Sequence, residues 1–515
     1  MVNLQELASE RSLAWIKVSI TVVACWFLWR EWRSPHQFSE RAKKRFAGAL
    51  AVLSLAAFFE FSHYSYPGSF HRWDVFHYYV GSKYAPELGY KKLYACTAVA
   101  DAETGDAEHV AQRRMRVLED DSVSLAGAAL STAATCKQRF SAGRWAEFRS
   151  DIAWFRRVSG GGEWWELMQL DHGFNASPVW AATGHAISNR VTPSIAHFRW
   201  LAAIDVALMG GCLLLLWWAF GWRIAALATV FWGSQAPAEL YWTGGAFLRQ
   251  DWLFACVLGV ALLRKRYFFG AGAALAYAAL VRAFPVLLFS GLLVLMLREL
   301  VITRRLSIRY RRLIAGAVTC AALLIPWGAS VRGFRAYDEF VDHIGMHAQT
   351  PITNHMSLRT LFSASPNIRL VELQDARQLD RIEPWIRARR ARLDEYRVAY
   401  WLTAAALLAG FAYTVWRLRT AWLAVCLGML PILSVTDPSC YYYSLWLLAA
   451  VASRARRSLE MAALGLAATS QIVALRFRPP DERYYAMAAA YVIFSVVLVG
   501  MFARRTPCLG GRDPR

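Results

Sequence analysis

The stretch WLAAIDVALMGGCLLLLWWAFGWRIAALATVFWGSQ, residues 200–235, decides the fold class. Its first part, Trp200–Phe220, is a long apolar run that contains a single acid, Asp205. A membrane helix needs about 20 mostly apolar residues, so this run predicts one span. A second apolar run, Ile224–Gln235, follows directly after Arg223. Two spans joined by a short basic turn indicate a polytopic membrane protein.

The rest of the chain repeats this pattern, and its composition agrees. Of 515 residues, 57% are hydrophobic and only 18% are charged, and the mean hydropathy is +0.27. These values exclude an ordinary cytosolic enzyme, a disordered scaffold and a disulfide-rich secreted protein. We predict an all-α polytopic membrane protein of about 13 transmembrane helices. The spans are Leu13–Trp29, Phe46–Phe61, Trp200–Phe220, Ile224–Gln235, Trp252–Leu263, Tyr267–Leu280, Pro285–Leu297, Leu313–Trp327, Tyr400–Val415, Ala421–Val435, Ser444–Ala452, Leu459–Leu475 and Tyr485–Phe502.

The basic residues predict the orientation of these spans. Short loops on one side carry 25 Lys and Arg, including four Arg between 504 and 515, whereas the opposite short loops carry five. Positive residues in short loops stay in the cytoplasm, so the N-terminus is predicted outside and the C-terminus inside. The formal charge of +21 is therefore a topology signal. Short, scattered basic clusters make nucleic-acid binding an unfavourable interpretation.

The predicted organisation has five parts, two of which are large extracytoplasmic loops. A transmembrane hairpin (1–61) precedes the first large loop (62–199), and a transmembrane core (200–329) precedes the second large loop (330–398). Further spans and a short cytosolic tail occupy 399–515. Cys96 and Cys136 are the two cysteines of the first large loop. On the oxidising side they predict a disulfide, with two independent thiols as the alternative.

The unusual polar residues fall almost entirely on the outer side of this topology. Ionisable groups at membrane depth are costly and usually functional, so clustering on one face predicts a single site there. The candidate acids are Asp74 and Asp171, and an acid just above the membrane is placed to act as a general base. The other candidates, which would bind substrate, are Lys83, Arg249, Arg282, His343, His347, Asn354, His355 and Tyr442.

Each candidate also has a purely structural interpretation. Asp74 and Arg249 are each three residues or fewer from an opposite charge, and Arg282 can extend to the membrane interface. His343 and His347 have the i,i+4 spacing of a zinc helix but no Glu between them, so hydrogen bonding to phosphate or sugar is favoured over metal ligation. Tyr441–Tyr443 is typical of an interfacial aromatic belt as well as of a sugar platform. No cofactor is predicted, and dependence on a divalent metal stays open.

A group of short motifs resembles a known superfamily. They are Trp73-Asp74, the run Phe76–Tyr84, Glu87-Leu88-Gly89-Tyr90 and Leu93-Tyr94, supported by Arg282-Ala283-Phe284-Pro285, Asn354 and Tyr441–Tyr443. Together with a large first outer loop, they resemble the GT-C membrane glycosyltransferases, in particular the bacterial polyprenol-phosphate-mannose-dependent mannosyltransferases. One departure is that the acid follows the second span, so Leu13–Trp29 is interpreted as an added N-terminal helix.

The resemblance implies a GT-C-like fold and transfer of a sugar from a polyprenyl-phosphate donor with inversion. Asp74 would be the base, with Asp171 as the alternative, while Arg249 and Arg282 would hold the donor phosphate. The acceptor would be a glycan, a lipid or a protein, outside a bacterial cytoplasmic membrane.

A transporter or flippase would instead show charged pairs at mid-span depth and an inverted repeat. A non-catalytic envelope assembly subunit would make Asp74 dispensable. An enzyme predicts that Asp74, both arginines and the second-loop histidines converge on one cavity that opens laterally to lipid.

Overall fold

The computed structural model describes residues 10–62 and 70–503, and within these ranges regular structure is almost entirely helical. The four arginines between 504 and 515 and Cys508 lie outside the described residues. Seven helices in the described ranges are long and apolar enough to cross a membrane, so the chain is a multi-pass membrane protein. They are Glu10–Arg33, Ile195–Phe220, Phe284–Thr303, Ile308–Ala329, Arg397–Arg417, Ser458–Arg476 and Pro480–Ala503.

Each of the thirteen predicted spans coincides with helical structure, but six of them are shorter or less apolar than a full span. A helix of 14 residues, such as Asp251–Arg264, is about 21 Å long, whereas the hydrocarbon core is about 30 Å thick. Thirteen separate crossings therefore stay a prediction. The six segments are Glu40–Phe58, Trp222–Ser234, Asp251–Arg264, Phe268–Val281, Ala421–Val435 and Cys440–Ala452.

Glycines explain the close packing of two helices of the core, Phe268–Val281 and Ile308–Ala329. A Cβ atom built on Gly272 would lie 1.9 Å from the Leu313 carbonyl oxygen, and one on Gly316 would lie 1.9 Å from that of Phe269. Small residues let helix backbones approach closely in membrane proteins. Any side chain at either glycine would force the two helices apart.

The two N-terminal helices, Glu10–Arg33 and Glu40–Phe58, pack against the core and are fastened to it by charges. Glu31 is buried and lies 2.8 Å from Arg223 and 3.2 Å from Lys43. A buried carboxylate is tolerated only when it is paired, so these contacts fix the end of the hairpin. The added N-terminal helix is thus an integrated part of the bundle.

The first large loop folds into a helical domain with one small sheet. In the sheet, Arg114–Val117 pairs antiparallel with Ser122–Leu125. Cys96 and Cys136 form a disulfide with a Cα–Cα distance of 5.4 Å, which joins two of the domain's helices. The helices of this domain are Arg72–Val75, the π-helix Phe76–Val80, Gly81–Lys83, Ala85–Leu88, Leu93–Thr104, Ala107–Gln112, Gly127–Ser131, Ala133–Lys137, Ala142–Val158, Glu163–Leu167, Met168–Leu170 and Pro178–Ser188.

The second large loop is fastened to the turn that follows helix Met429–Val435. The Met356 N–H donates to the Pro438 carbonyl at 3.0 Å, and the Cys440 N–H donates to the Asn354 carbonyl at 2.9 Å. This short antiparallel contact brings two chain segments, distant in sequence, to one wall of the bundle. The helices of the second large loop are Arg335–Gln349, Leu358–Ser363, Leu370–Leu373 and Glu383–Glu395.

Candidate active site

A polar cavity of about 250 Å³ lies where both large loops meet the ends of short core helices. Helices Trp222–Ser234 and Asp251–Arg264 stop at the cavity, and the backbone between them is mostly irregular. In membrane proteins irregular backbone is tolerated where it lines a cavity. The lining residues are His71, Trp73, Asp74, His77, Tyr78, Trp164, Asp171, Gly173, Asn175, Tyr241, Trp242, Arg249, Gln250, Trp252, Arg282, His347, Ile352, Asn354, Ser439, Tyr441 and Tyr442.

Asp74 sits on the one-turn helix Arg72–Val75 at the edge of this cavity. Its backbone N–H donates to Nδ1 of His71 at 3.2 Å, which caps the helix. Burial and the nearby Arg249 lower the pKa of His71 to about 3, so that imidazole is neutral and free of positive charge near pH 7. The Asp74 carboxylate contacts the Arg249 guanidinium directly. Asp74 therefore has a cation as its partner and faces open space.

Arg249 is held in place from two directions. The Asp205 carboxylate, from helix Ile195–Phe220, accepts the backbone N–H groups of Arg249 at 2.8 Å and Gln250 at 2.9 Å. The guanidinium lies over the Tyr441 ring, 4.5 Å from its centroid. Asp205, the single acid of the run Trp200–Phe220, is thus a partner of the Arg249 backbone.

Arg282 lies between helix Phe268–Val281 and the 3₁₀ turn Phe284–Leu288, and it lines the same cavity. Its side chain is only 6% exposed, and its guanidinium lies 5.3 Å from the Tyr78 ring centroid. Within the described residues, no carboxylate oxygen lies within 4.0 Å of this guanidinium, and its Nε has no hydrogen-bond partner. Asp251 acts on this guanidinium only from beyond 4.0 Å, so the buried cation keeps an N–H donor without a contact, which favours an anion-binding position.

Asp171 lines the cavity but is bound differently from Asp74. Its carboxylate accepts the indole N–H of Trp73 at 2.5 Å and the backbone N–H of His172 at 2.8 Å. Burial alone raises the pKa of a carboxyl, but His77, His172 and these two donors together hold the pKa of Asp171 below its usual value. Asp171 consequently fixes the Trp73 ring against the cavity.

A hydrogen-bonded chain connects the Asp74 helix to the irregular segment that follows Asp171. Nδ1 of His77 pairs with the Trp73 carbonyl at 2.7 Å, and Nε2 pairs with the Tyr94 hydroxyl at 2.6 Å. The Trp73 carbonyl can only accept, so His77 donates from Nδ1, and its Nε2 accepts from the Tyr94 hydroxyl. The Tyr94 oxygen in turn accepts the Gly173 N–H at 3.0 Å. Burial lowers the pKa of His77 and keeps it neutral.

The second large loop brings two of its four candidate residues to the cavity, His347 and Asn354. Burial, reinforced by His172, lowers the pKa of His347 well below its usual value. His343 instead donates from Nε2 to the Asn175 side-chain oxygen at 2.6 Å, and burial lowers its pKa to about 4. His355 pairs with Asp437 at 3.0 Å. His343 and His355 therefore support the wall of the cavity from behind.

Tyr442 lines the cavity and Lys83 does not. The Tyr442 ring packs edge-on against Phe284 with a centroid distance of 4.6 Å. Lys83 is 2% exposed and forms ion pairs of 2.7 Å with Asp151 and with Glu147 inside the first large loop. Its ammonium is compensated there, so the structure gives Lys83 a place in the core of the domain.

Two further properties of the site bear on its chemistry. In the part of the chain that the structure describes, no group of three or more His, Cys, Asp or Glu side chains is arranged to hold a metal ion. Because the lining histidines with resolved shifts are neutral, the positive charge at the cavity comes from Arg249 and Arg282.

Several lining residues escaped the sequence analysis. Tyr241, Trp242 and Trp252 all line the cavity, and all three flank Arg249 in the chain. A cluster of aromatic residues around an arginine at a span end was an available signal. The structural roles of Trp73 and His77 depend on Asp171 and Tyr94, and no local pattern reveals such distant partners.

The chain was also compared with known proteins. No family model, no curated protein and no solved structure matches it significantly. The function of the cavity is therefore inferred from its own residues and geometry.

Proposed function

We propose that the protein is a membrane glycosyltransferase that moves a sugar from a polyprenyl-phosphate donor to an acceptor hydroxyl on the extracytoplasmic face. The observation that carries this proposal is the shared cavity, in which Asp74 and Asp171 lie together with Arg249 and Arg282. Two carboxylates suit proton abstraction, and two guanidinium groups suit an anionic leaving group. The chain would act in a bacterial cytoplasmic membrane, with a glycan, lipid or protein as acceptor.

Arg282 is the best-placed ligand for the donor phosphate. It is buried, and no carboxylate of the described residues neutralises it at close range. Guanidinium groups bind phosphate oxygens through paired, charge-assisted hydrogen bonds. A lipid-linked phosphate entering from the membrane would satisfy the unpartnered Nε and reduce the cost of burying this charge.

Asp74 is favoured over Asp171 as the base. The Asp171 carboxylate already accepts two N–H donors, one of which positions Trp73. Carboxylates stabilised by such donors take up protons poorly. In the proposed reaction the acceptor hydroxyl loses its proton to Asp74, and its oxygen attacks the anomeric carbon from the face opposite the phosphate. The bond from sugar to phosphate breaks, its electron pair stays on the phosphate oxygen, and the configuration at the anomeric carbon inverts.

Aromatic side chains supply the remaining surface of the proposed sugar site. Trp73, Trp164, Trp242 and Tyr441 line the cavity around the charged groups. Ligand pockets typically combine such apolar and aromatic walls with a few placed polar groups. Asn354 lines the same cavity, and its side-chain oxygen is buried without a partner, so it is available to accept a hydrogen bond from a sugar hydroxyl.

The test is transfer of labelled sugar from polyprenyl-phosphate donors, measured in membranes that contain the wild-type protein or Asp74→Asn at equal protein level. We expect transfer by the wild type and its loss in the variant. Asp171→Asn is the matched control, because it removes the other carboxylate of the cavity. Transfer that survives in Asp74→Asn and is lost in Asp171→Asn would move the base to Asp171.

The same experiment separates the proposal from its alternatives. Movement of the intact lipid donor across the bilayer without sugar transfer would identify a flippase. Absence of both activities across a panel of donors and acceptors, in folded protein, would contradict the enzyme and favour an assembly subunit.

A further inference from the structure

We propose that the contact between Asp74 and Arg249 is a latch that the donor phosphate opens. The phosphate takes over the Arg249 guanidinium, and Asp74 is thereby released to accept the proton of the acceptor. This inference rests on the proposed function and adds an order to it, in which the donor must bind before the base becomes active.

The first observation is that Asp74 and Arg249 pair with each other at the wall of the cavity. Asp74 and Arg249 are in direct contact, with side chains 16% and 11% exposed. A carboxylate paired with a guanidinium is held in its charged form and is a weaker proton acceptor. The pair nevertheless faces the cavity, so a second anion can reach the same guanidinium.

The second observation is that Arg249 cannot follow Asp74 away from the cavity. Its backbone N–H is bound by Asp205, and its guanidinium lies over Tyr441. The arginine therefore stays in place while its anionic partner changes. A guanidinium has five N–H donors, and the phosphodiester of the donor has two non-bridging oxygens to accept them; the polyprenyl phosphate that leaves has three.

The third observation is the contrast with Arg282 across the same cavity. No carboxylate of the described residues lies within 4.0 Å of Arg282, so it can receive the phosphate without breaking a contact. Docking on Arg282 brings the phosphate oxygens into competition with Asp74 for Arg249. Two arginines then carry the leaving phosphate, and Asp74 carries the proton.

The latch makes an unusual prediction: removal of the proposed base tightens phosphate binding. The experiment measures the affinity of purified full-length protein for farnesyl phosphate, a short polyprenyl phosphate, without any sugar transfer. We expect Asp74→Asn to bind about three- to tenfold more tightly than the wild type, because the phosphate no longer competes with a partly buried carboxylate. The matched control is Glu147→Gln, which removes one negative charge from the first large loop outside the cavity and leaves Arg249 paired. We expect its affinity to change less than about twofold.

Two further variants make the test decisive. Arg249→Gln should abolish the gain, so that Asp74→Asn in the Arg249→Gln background binds no better than Arg249→Gln alone. Asp74→Ser replaces Asp74→Asn if the latter is not folded by circular dichroism and gel filtration. Inorganic phosphate is the second probe: the same ratio of affinities with it assigns the effect to the phosphate group, whereas a ratio seen only with farnesyl phosphate assigns it to the lipid.

The possible failures can be told apart. If the wild type binds farnesyl phosphate but Asp74→Asn gains nothing, or gains no more than Glu147→Gln, the latch is wrong and the proposed function stands. If folded wild-type protein binds neither probe, there is no phosphate site, and the proposed function fails together with the latch.

Discussion

Two pairs of opposite charges in this protein show how little residue type says about role. The cavity pair is Asp74 with Arg249, and the sealed pair is Asp151 with Lys83. Both are carboxylate–cation contacts that include a residue of the first large loop, and both are largely buried. Sequence reasoning placed Lys83 among the substrate-binding candidates, yet only the cavity pair borders open space.

The difference lies in what surrounds each pair. Around the sealed pair, the Tyr84 hydroxyl donates to the Asp151 carboxylate at 2.8 Å, and Lys83 also lies 2.7 Å from Glu147. The cavity pair has an aromatic ring on one side and the cavity on the other. A fully satisfied ion pair serves packing, whereas a pair with an open side keeps room for a ligand. The following variants test this distinction, starting with the largest effect.

Breaking the cavity pair should affect the reaction and spare the fold. For Asp74→Asn we expect sugar transfer to fall about 10³-fold, equivalent to about 4 kcal/mol, which is within the usual contribution of a general base. The free energy of unfolding should change by less than about 1 kcal/mol, because the amide still contacts Arg249. Transfer kinetics and denaturant unfolding of the solubilised protein give the two values. A large loss of stability would assign the pair a structural role.

Breaking the sealed pair should do the opposite. Asp151→Asn leaves the Lys83 ammonium buried at 2% exposure with weaker compensation, and loss of one partner of a buried pair costs about 3 kcal/mol of folding stability. The denaturant midpoint should fall, while the remaining folded enzyme keeps its KM for the donor. Glu147→Gln is a suitable control, because Glu147 is 43% exposed and its loss should cost less than about 1 kcal/mol. A changed KM in Asp151→Asn would bring Lys83 back as a site residue.

The same contrast explains what the sequence could and could not predict. Hydropathy runs located the seven helices that are long enough to cross a membrane, because a span demands continuous apolar residues. Arg249 and Arg282 stood out because few basic residues fall in the short loops of the predicted outer side. The structural role of Lys83 was not recognisable, because its partner Asp151 lies 68 residues further along the chain. No local pattern encodes that contact.

The second large loop shows the same limit at smaller scale. The histidine spacing drew attention to this segment, and one of its histidines, His347, lines the cavity. His343 and His355 were indistinguishable from it in sequence, but Asn175 and Asp437 bind them outside the lining. These partners come from other parts of the chain, so only the tertiary structure separates the three imidazoles.

A third pair, Asp121 with His172, lies within the first large loop and should give a pH-dependent effect of intermediate size; Asp121 also contacts Thr350 of the second large loop. Asp121 lies 2.8 Å from Nδ1 of His172 and accepts from the Thr350 hydroxyl at 2.8 Å. Burial opposes ionisation, but His172, Arg116 and Thr350 lower the pKa of Asp121 to about 2. An unfolded Asp has a pKa of about 3.9, so the folded state gains about 2–3 kcal/mol that is fully present only above about pH 5.

This stabilisation should be lost progressively as the pH falls from about 5 towards 1, since the depressed pKa belongs to the folded state. Unfolding free energies of the wild type and Asp121→Asn, measured between pH 7 and pH 3, provide the test. The difference between them should be largest at pH 7 and should shrink on acidification. A constant difference across this range would show that the charge of Asp121 contributes nothing.

The smallest expected effect concerns the support of the cavity pair. The sealed pair is held by its own close partners, whereas Arg249 depends on Asp205, a residue of helix Ile195–Phe220 that does not line the cavity. Asp205→Asn retains an oxygen for the two backbone N–H groups but loses the charge, which weakens those hydrogen bonds by about 1 kcal/mol. If Asp205 is a positioning residue, the KM for the donor should rise about fivefold while kcat changes little, since in the proposed reaction Arg249 binds the phosphate and Asp74 is untouched.

Thr229→Val, which removes a buried hydroxyl of a core helix outside the lining, is the matched control and should leave KM unchanged. An equal loss of kcat in both variants would mean that the bundle, and not the position of Arg249, had been disturbed, and the open side of the cavity pair would then need no external support.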